Sequence, residues 1–203
     1  MAIARDPVTL VAQAALPTRH GEFEVGVFHV EGVHNEALAV MRGQLDAPTP
    51  PLVRLHSECL TGDVLGSLRC DCGEQLDASL ALMAQEQHAV LLYLRQEGRG
   101  IGLANKIRAY ALQDRGLDTV DANLALGLPV DRREYHSAAA ILHHLGTHRV
   151  RLLTNNPAKQ RSLEDHGVEV VERVPLEMPP NDVNHDYLRT KADRMGHLLA
   201  FER

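Results

Sequence analysis

The three cysteines fall within fourteen residues, as Cys59-x10-Cys70-x-Cys72. The stretches that carry them, Arg54-Leu-His-Ser-Glu-Cys-Leu-Thr-Gly-Asp and Leu68-Arg-Cys-Asp-Cys-Gly-Glu-Gln-Leu, mix thiols with charged and small polar residues. Free cysteines often serve as small buried hydrophobes, but Arg69-Cys-Asp-Cys-Gly-Glu is too polar for a core strand. Metal ligation is the better reading, and zinc is the default metal for thiolates without an iron–sulfur spacing. A structural zinc site closes its tetrahedron with protein, whereas a catalytic one leaves a corner to water or substrate. A missing fourth cysteine therefore points to an enzyme. His56, three residues before Cys59, is the alternative fourth ligand and would make the site structural. Three thiolates on a divalent ion leave a net negative charge, so the metal is a weaker Lewis acid than one held by neutral histidines. A bound water then needs a nearby base: Glu58, beside the first ligand, or a carboxylate brought in by the fold.

A second constellation is Arg95-Gln-Glu-Gly-Arg-Gly-Ile-Gly-Leu-Ala-Asn-Lys-Ile-Arg108. A glycine-rich turn between strand and helix offers backbone N–H groups and a helix N-terminus to an anion. It is neither a Walker A loop nor the dinucleotide fingerprint, since Gly98, Gly100 and Gly102 are spaced two apart. Arg99, Lys106 and Arg108 favour a phosphate there over a solvated turn. Thr154-Asn-Asn-Pro-Ala-Lys159, at a strand's carboxyl end and a helix start, is a further phosphate candidate. Asp131-Arg-Arg-Glu-Tyr135 reads, unaided, as a solvated cap before a helix.

These segments need elements to hold them. The first fifty residues are β-rich: Glu22–Val30 and Ala37–Arg42 are expected strands, closed by the stiff Ala47-Pro-Thr-Pro-Pro linker. Leu52–Leu55 is a short buried strand. Leu76, Leu80 and Met83 share a helical face, giving a helix from Gly73 to about Gln87, and Ala89–Leu94 is a solidly apolar strand. Helices are expected over Leu103–Arg115, Tyr135–Leu145 and Asp186–Leu199, and strands over Arg149–Leu153 and Val168–Val174. Pro157 suits a helix's first turn, with Asn155 or Asn156 as its cap. The expected class is mixed α/β: a β-rich lead over about residues 1–50, then strands alternating with helices over about 51–200, in one domain of 203 residues.

Bulk properties narrow the function. A formal charge of -6 argues against a nucleic-acid coat, and 3% aromatics leave few stacking platforms for single strands. No apolar run reaches the length of a membrane span, and the amino terminus lacks a signal-peptide layout. Three cysteines cannot all pair within one chain, which fits a reducing cytoplasm.

Taken with Tyr93-Leu-Arg-Gln-Glu-Gly-Arg-Gly-Ile-Gly-Leu and Arg151-Leu-Leu-Thr-Asn-Asn-Pro, the cysteine stretches closely resemble GTP cyclohydrolase II of riboflavin biosynthesis, from about residue 10 to residue 199. The resemblance implies removal of guanine C8 as formate and release of pyrophosphate. It implies Cys59, Cys70 and Cys72 as zinc ligands, with Mg2+ accompanying the triphosphate. GTP contacts are expected from Arg54, Leu55, His56, Ser57, Glu58, Gln75, Glu97, Gly98, Arg99, Thr119, Thr154 and Lys159. Asp131 matches a proton acceptor, Arg133 a nucleophile on the α-phosphate, and Tyr110 a tyrosine near the guanine ring. Arginine stays protonated at ordinary pH, so a guanidinium that only clamps phosphate is the other reading of Arg133. A homodimer is expected, without the dihydroxybutanone phosphate synthase domain fused to some relatives. A zinc nucleobase deaminase is the nearest rival; His56-Ser-Glu58 mimics its His-x-Glu, but Cys70-x-Cys72 has the wrong spacing. A zinc-stapled nucleotide-binding module is the non-catalytic rival and requires four protein ligands.

Overall fold

The protein is described by a computed structural model over residues 7–199. The amino-terminal residues 1–6, read above for a signal peptide, lie outside the described residues. The chain divides into two compact units. Unit one comprises Met1–His56, Asp77–Arg95 and Glu134–Leu176; unit two comprises Ser57–Leu76, Gln96–Arg133 and Glu177–Arg203.

Unit one is built on a mixed sheet of seven strands: β1 (Val8–Thr18), β2 (Gly21–Val30), β3 (Ala37–Arg42), β4 (Leu52–Ser57), β5 (Ala89–Leu94), β6 (Arg149–Leu153) and β7 (Glu169–Val174). Their spatial order is β1-β2-β3-β5-β4-β6-β7. The strands β1, β2, β3 and β5 pair antiparallel, while β4, β6 and β7 pair parallel. The β-rich lead is thus no separate layer; it supplies three of the strands of the same sheet. Central position explains composition. β5 lies between β3 and β4, and five of its six residues are buried, so it reads as an unbroken apolar run. β1 has the opposite surroundings. It pairs only with β2, at the sheet's edge, and most of its residues are exposed, so it lacks the alternation that marks a strand in sequence.

Helix α5 (His136–His144) is buried from Ser137 to Leu142 and completes the core with Phe28, Leu92 and Leu152. Between β6 and β7 runs α6 (Pro157–Asp165), capped by Asn156, whose Oδ1 accepts from Ala158 N at 2.9 Å. Asn155 does other work: its side chain bonds both N and O of Leu176. The cap choice left open in sequence is thereby resolved to Asn156.

Unit two is helical. It contains α1 (Leu60–Asp63), the first turn of α2 (Cys72–Met83), a 3-10 turn (Glu97–Gly100), α3 (Leu103–Gln113), α4 (Thr119–Ala125) and α7 (His185–Met195). Four helices are shorter than expected from periodicity; α5 has Tyr135 and Leu145 as its caps rather than within it. α2 stops at Met83, and the polar Gln85-Glu-Gln-His turn carries the chain to β5. α3 stops at Gln113, two residues before Arg115. α7 stops at Met195 because Gly196 takes a left-handed conformation, φ 67°, rather than continuing to Leu199. α4 has no counterpart in the sequence reading. Asp118 creates it by accepting from Val120 N and Asp121 N at 2.8 and 2.9 Å. Among the described residues, no helix is long and apolar enough to cross a membrane.

Candidate metal centre and its surroundings

The first cysteine caps α1 and the other two flank the entry to α2, so the short helices of unit two converge the thiols. The ligand atoms of Cys59, Cys70 and Cys72 all lie within 4.8 Å of one another, and Cys59 Sγ is 3.6 Å from Cys70 Sγ. A tetrahedral zinc with Zn–S bonds of about 2.3 Å requires sulfur separations of about 3.8 Å. The donor set fits zinc in chemistry, and the Cys59–Cys70 separation is close to that spacing. Gly62 fits it as well. A Cβ there would sit 2.9 Å from Cys70 Sγ and 3.2 Å from Cys59 Sγ, so only glycine leaves room for the cluster. Among the described residues this triad is the one group of three or more metal-capable side chains. His56 is not in it; its buried ring stacks on Tyr93, centroids 5.3 Å apart.

The surroundings of the triad are charged and buried. Lys106, on α3, is 9% exposed and donates to Cys59 Sγ at 3.0 Å and Glu97 Oε1 at 2.8 Å. Glu97 also accepts from Leu60 N and Gly98 N, both at 2.7 Å. Donors from Cys70, Cys72 and Lys106 hold Cys59 well below the ordinary thiol range, against the opposing effect of burial. Cys70, as donor to Cys59, is pushed up to about 11. Burial works against the Lys106 ammonium, yet Cys59 and Glu97 raise its pKa overall. Asp71, between two ligands and 2% exposed, accepts from Gln75 Nε2 at 2.5 Å and Lys191 Nζ at 2.8 Å. Tyr110 places its hydroxyl 3.4 Å from Thr61 Oγ1, the Arg69 guanidinium lies 4.9 Å from its ring centroid, and burial raises its pKa to about 12. Sequence reading missed Gly62, Asp71 and Lys191 and counted Lys106 toward a phosphate. Long-range contacts leave no periodic trace in sequence.

The glycine-rich turn is conformationally unusual. Gly98, Gly100 and Gly102 have φ of 62°, 86° and 84°, and Arg99, at φ 61°, is the one positive-φ non-glycine among the described residues. Backbone strain of this kind concentrates at functional positions. Its guanidinium lies 5.7 Å from the Tyr187 ring centroid, and Arg99 O accepts from Arg132 N. That bond ties the turn to the Asp131–Arg133 segment. There, Asp131 Oδ1 accepts from Arg133 N at 3.0 Å and Nε at 2.9 Å, and Oδ2 accepts from Nη2 at 2.6 Å. The pentad read as a solvated cap is a two-pronged ion pair. Partial burial pushes the Asp131 carboxyl up, but the guanidinium overrides it and leaves the pKa below the usual range. Thr119 opens α4; Glu58 is partly buried just after β4.

Unit one holds the remaining candidates at the carboxyl ends of its parallel strands. Arg54, 5% exposed, donates to Leu153 O at 3.1 Å. Lys159, also 5% exposed, donates to Leu55 O at 2.6 Å and faces the Tyr135 ring at 5.7 Å. Thr154 Oγ1 accepts from Asn156 N at 3.0 Å, while the Leu55 side chain is fully buried in the core. Arg54, Leu55, Thr154 and Lys159 are thus brought together around β4 and β6, the location where open α/β sheets gather ligands.

The three-thiol cluster of the helical unit and the mixed sheet with buried cations at its parallel strand ends define the class: an α/β protein with a candidate metal site. The GTP cyclohydrolase II family model matches residues 9–175, and the chain belongs to that family. It is 55% identical over 193 residues to a GTP cyclohydrolase-2 of Hahella chejuensis, covering 95% of this chain and 93% of that protein. A GTP cyclohydrolase-2 of Acinetobacter baumannii (strain SDF) is 53% identical, with 95% and 96% covered. The Riboflavin biosynthesis protein RibBA of Salinispora tropica is 57% identical over 95% of this chain, but the chain spans about half of that relative's length, 48%. Among solved structures, RibBX, a two-domain 3,4-dihydroxy-2-butanone 4-phosphate synthase from A. baumannii, matches with a TM-score of 0.50 at 20% identity. That match covers 84% of this chain and 40% of RibBX, and it bears on the fold alone.

Proposed function

We propose that the protein is a zinc-dependent GTP cyclohydrolase II. It converts GTP to 2,5-diamino-6-(5-phosphoribosylamino)pyrimidin-4(3H)-one, formate and pyrophosphate, the first step of riboflavin biosynthesis. The observation that carries this reading is the thiol triad with zinc-like sulfur spacing in a member of this family. Cys59, Cys70 and Cys72 would hold the zinc, which would supply the Lewis acidity that activates a water. Glu58, the residue before the first ligand, is the proposed base for that water. Tyr110 keeps its proton through neutral pH and acts near the guanine ring as a hydrogen-bond donor.

At phosphorus, Asp131 holds the Nε and Nη2 edges of Arg133 and fixes the guanidinium plane. An adjacent base can activate a nucleophile, and in the covalent reading Asp131 would take a proton from Arg133; the ion pair suits a phosphate clamp equally. Rapid-quench trapping of a phosphorylated Arg133 peptide supports the covalent role, and its absence under single-turnover conditions assigns the clamp.

The proposed GTP contacts are Arg54 to Glu58, Gln75, Glu97 to Arg99, Thr119, Thr154 and Lys159, with Mg2+ on the triphosphate. A homodimer in the cytoplasm completes the reading, since reactive thiolates favour a reducing compartment. Incubation with GTP, Mg2+ and Zn2+ tests it by quantifying formate and pyrophosphate. Both are expected. Ammonia without formate indicates a deaminase, and pyrophosphate without formate indicates an enzyme that stops at the ring-opened formamide.

A further inference from the structure

We infer that Lys106 is a positioning residue of the metal centre: its ammonium donates to the ligand sulfur of Cys59 and draws charge from a site that three thiolates make electron-rich. The inference rests on the triad being the zinc site proposed above. The geometry behind it is over-determined. Lys106 Nζ is 3.0 Å from Cys59 Sγ and 2.8 Å from Glu97 Oε1. Glu97 is itself pinned by Leu60 N and Gly98 N. The residue after the first ligand and the lysine are therefore fixed by one carboxylate.

The turn contributes sterically. A Cβ on Gly98 would lie 3.2 Å from Lys106 Cβ, and Gly98 holds a φ of 62°. Glycine at that position lets the turn close against α3 and keeps Lys106 at the sulfur. The glycine-rich turn thus has a role toward the metal as well as toward any anion.

The chemistry follows from charge. A zinc ion with three thiolates carries a net charge of about -1 and polarises water less than one held by neutral ligands. A cation hydrogen-bonded to one sulfur offsets part of that charge, and such outer contacts tune metal centres. Lysine has three donors and no acceptor, so it can serve Cys59 and Glu97 together without competing for the metal.

The test uses full-length protein reconstituted with Co2+, comparing wild type with Lys106→Met and Lys106→Arg. Lys106→Met is expected to take up one Co2+ per chain with tetrahedral ligand-field bands, while its thiolate-to-metal charge-transfer band moves to lower energy. Lys106→Arg is expected to restore most of that shift. Formate release by the zinc-loaded Met variant should fall roughly 10–100-fold, the range for loss of an outer-sphere partner, with KM for GTP little changed. Full Co2+ uptake by Lys106→Met with an unshifted band overturns the inference. Failure of wild type to bind Co2+ through thiolates overturns the metal assignment instead. If the Met variant does not fold, 113Cd-loaded wild type decides. Coupling between the Lys106 ammonium protons and 113Cd through the shared sulfur is expected, and its absence with a rigid Lys106 signal counts against the inference.

Discussion

The two units solve the problem of burial differently. Unit one encloses a contiguous apolar core of strand and helix residues, with Leu92, Ile141 and Leu152 fully buried. Unit two buries little of that kind: Ala109, Val120, Ala122 and Leu188 are its main apolar interior residues outside the thiols. Its interior is instead polar, with Asp71, Lys106, Asn123 and Asn184 buried. Apolar burial stabilises by about 25 cal/mol per Å2, so unit one can hold itself by packing. Buried charges need partners and gain little net stability, so unit two has the weaker packing to hold it together. Apolar packing is concentrated in the first unit and the candidate metal ligands lie in the second.

The sharpest way to break this contrast is Cys70→Ser. It should remove bound zinc and reduce formate release by more than about 100-fold, beyond an outer-sphere loss, while far-UV circular dichroism retains the sheet signal. Leu92→Ala should do the reverse. It is expected to lower unfolding free energy by about 2–5 kcal/mol in denaturant titrations and to leave zinc stoichiometry at one per chain. Gly62→Ala touches no ligand, yet its Cβ would stand 2.9 Å from Cys70 Sγ. Zinc affinity, measured by chelator competition, should drop about tenfold or more. Asn156→Ala removes the cap of α6 and should cost about 1 kcal/mol in thermal unfolding, with zinc binding unaltered.

The smallest effect concerns pH. Arg133 depresses the Asp131 pKa in the folded protein. A depressed carboxyl adds stability above its unfolded pKa of about 3.9 and loses it as pH falls through the folded value. Asp131→Asn should therefore weaken the protein slightly near neutrality and flatten the stability loss below about pH 4. For the same reason, any titration of activity between pH 5 and 8 belongs to another group.

Much of this was legible in sequence because it depends on local pattern. The apolar run of β5, the Pro157 helix start and the cysteine spacing each follow from neighbouring residues, and all three appear as read. What depended on distant partners was not. β1 forms because β2 offers an edge, not because its own residues alternate. Lys106 looked like one more cation after a glycine turn, and only the fold brings it to Cys59, 47 residues away in sequence. Asp131 and Arg133 read as a solvated cap, since nothing local distinguishes an ion pair two residues apart from free charges.

The central claim is that the Cys59–Cys70–Cys72 site is the working metal centre. Zinc titrated into metal-depleted protein, with formate release from GTP followed at each addition, tests it directly. The rate is expected to climb in proportion to zinc and to level off at one equivalent per chain. Full formate release with no zinc bound, or a plateau that Cys70→Ser leaves unchanged, would contradict it.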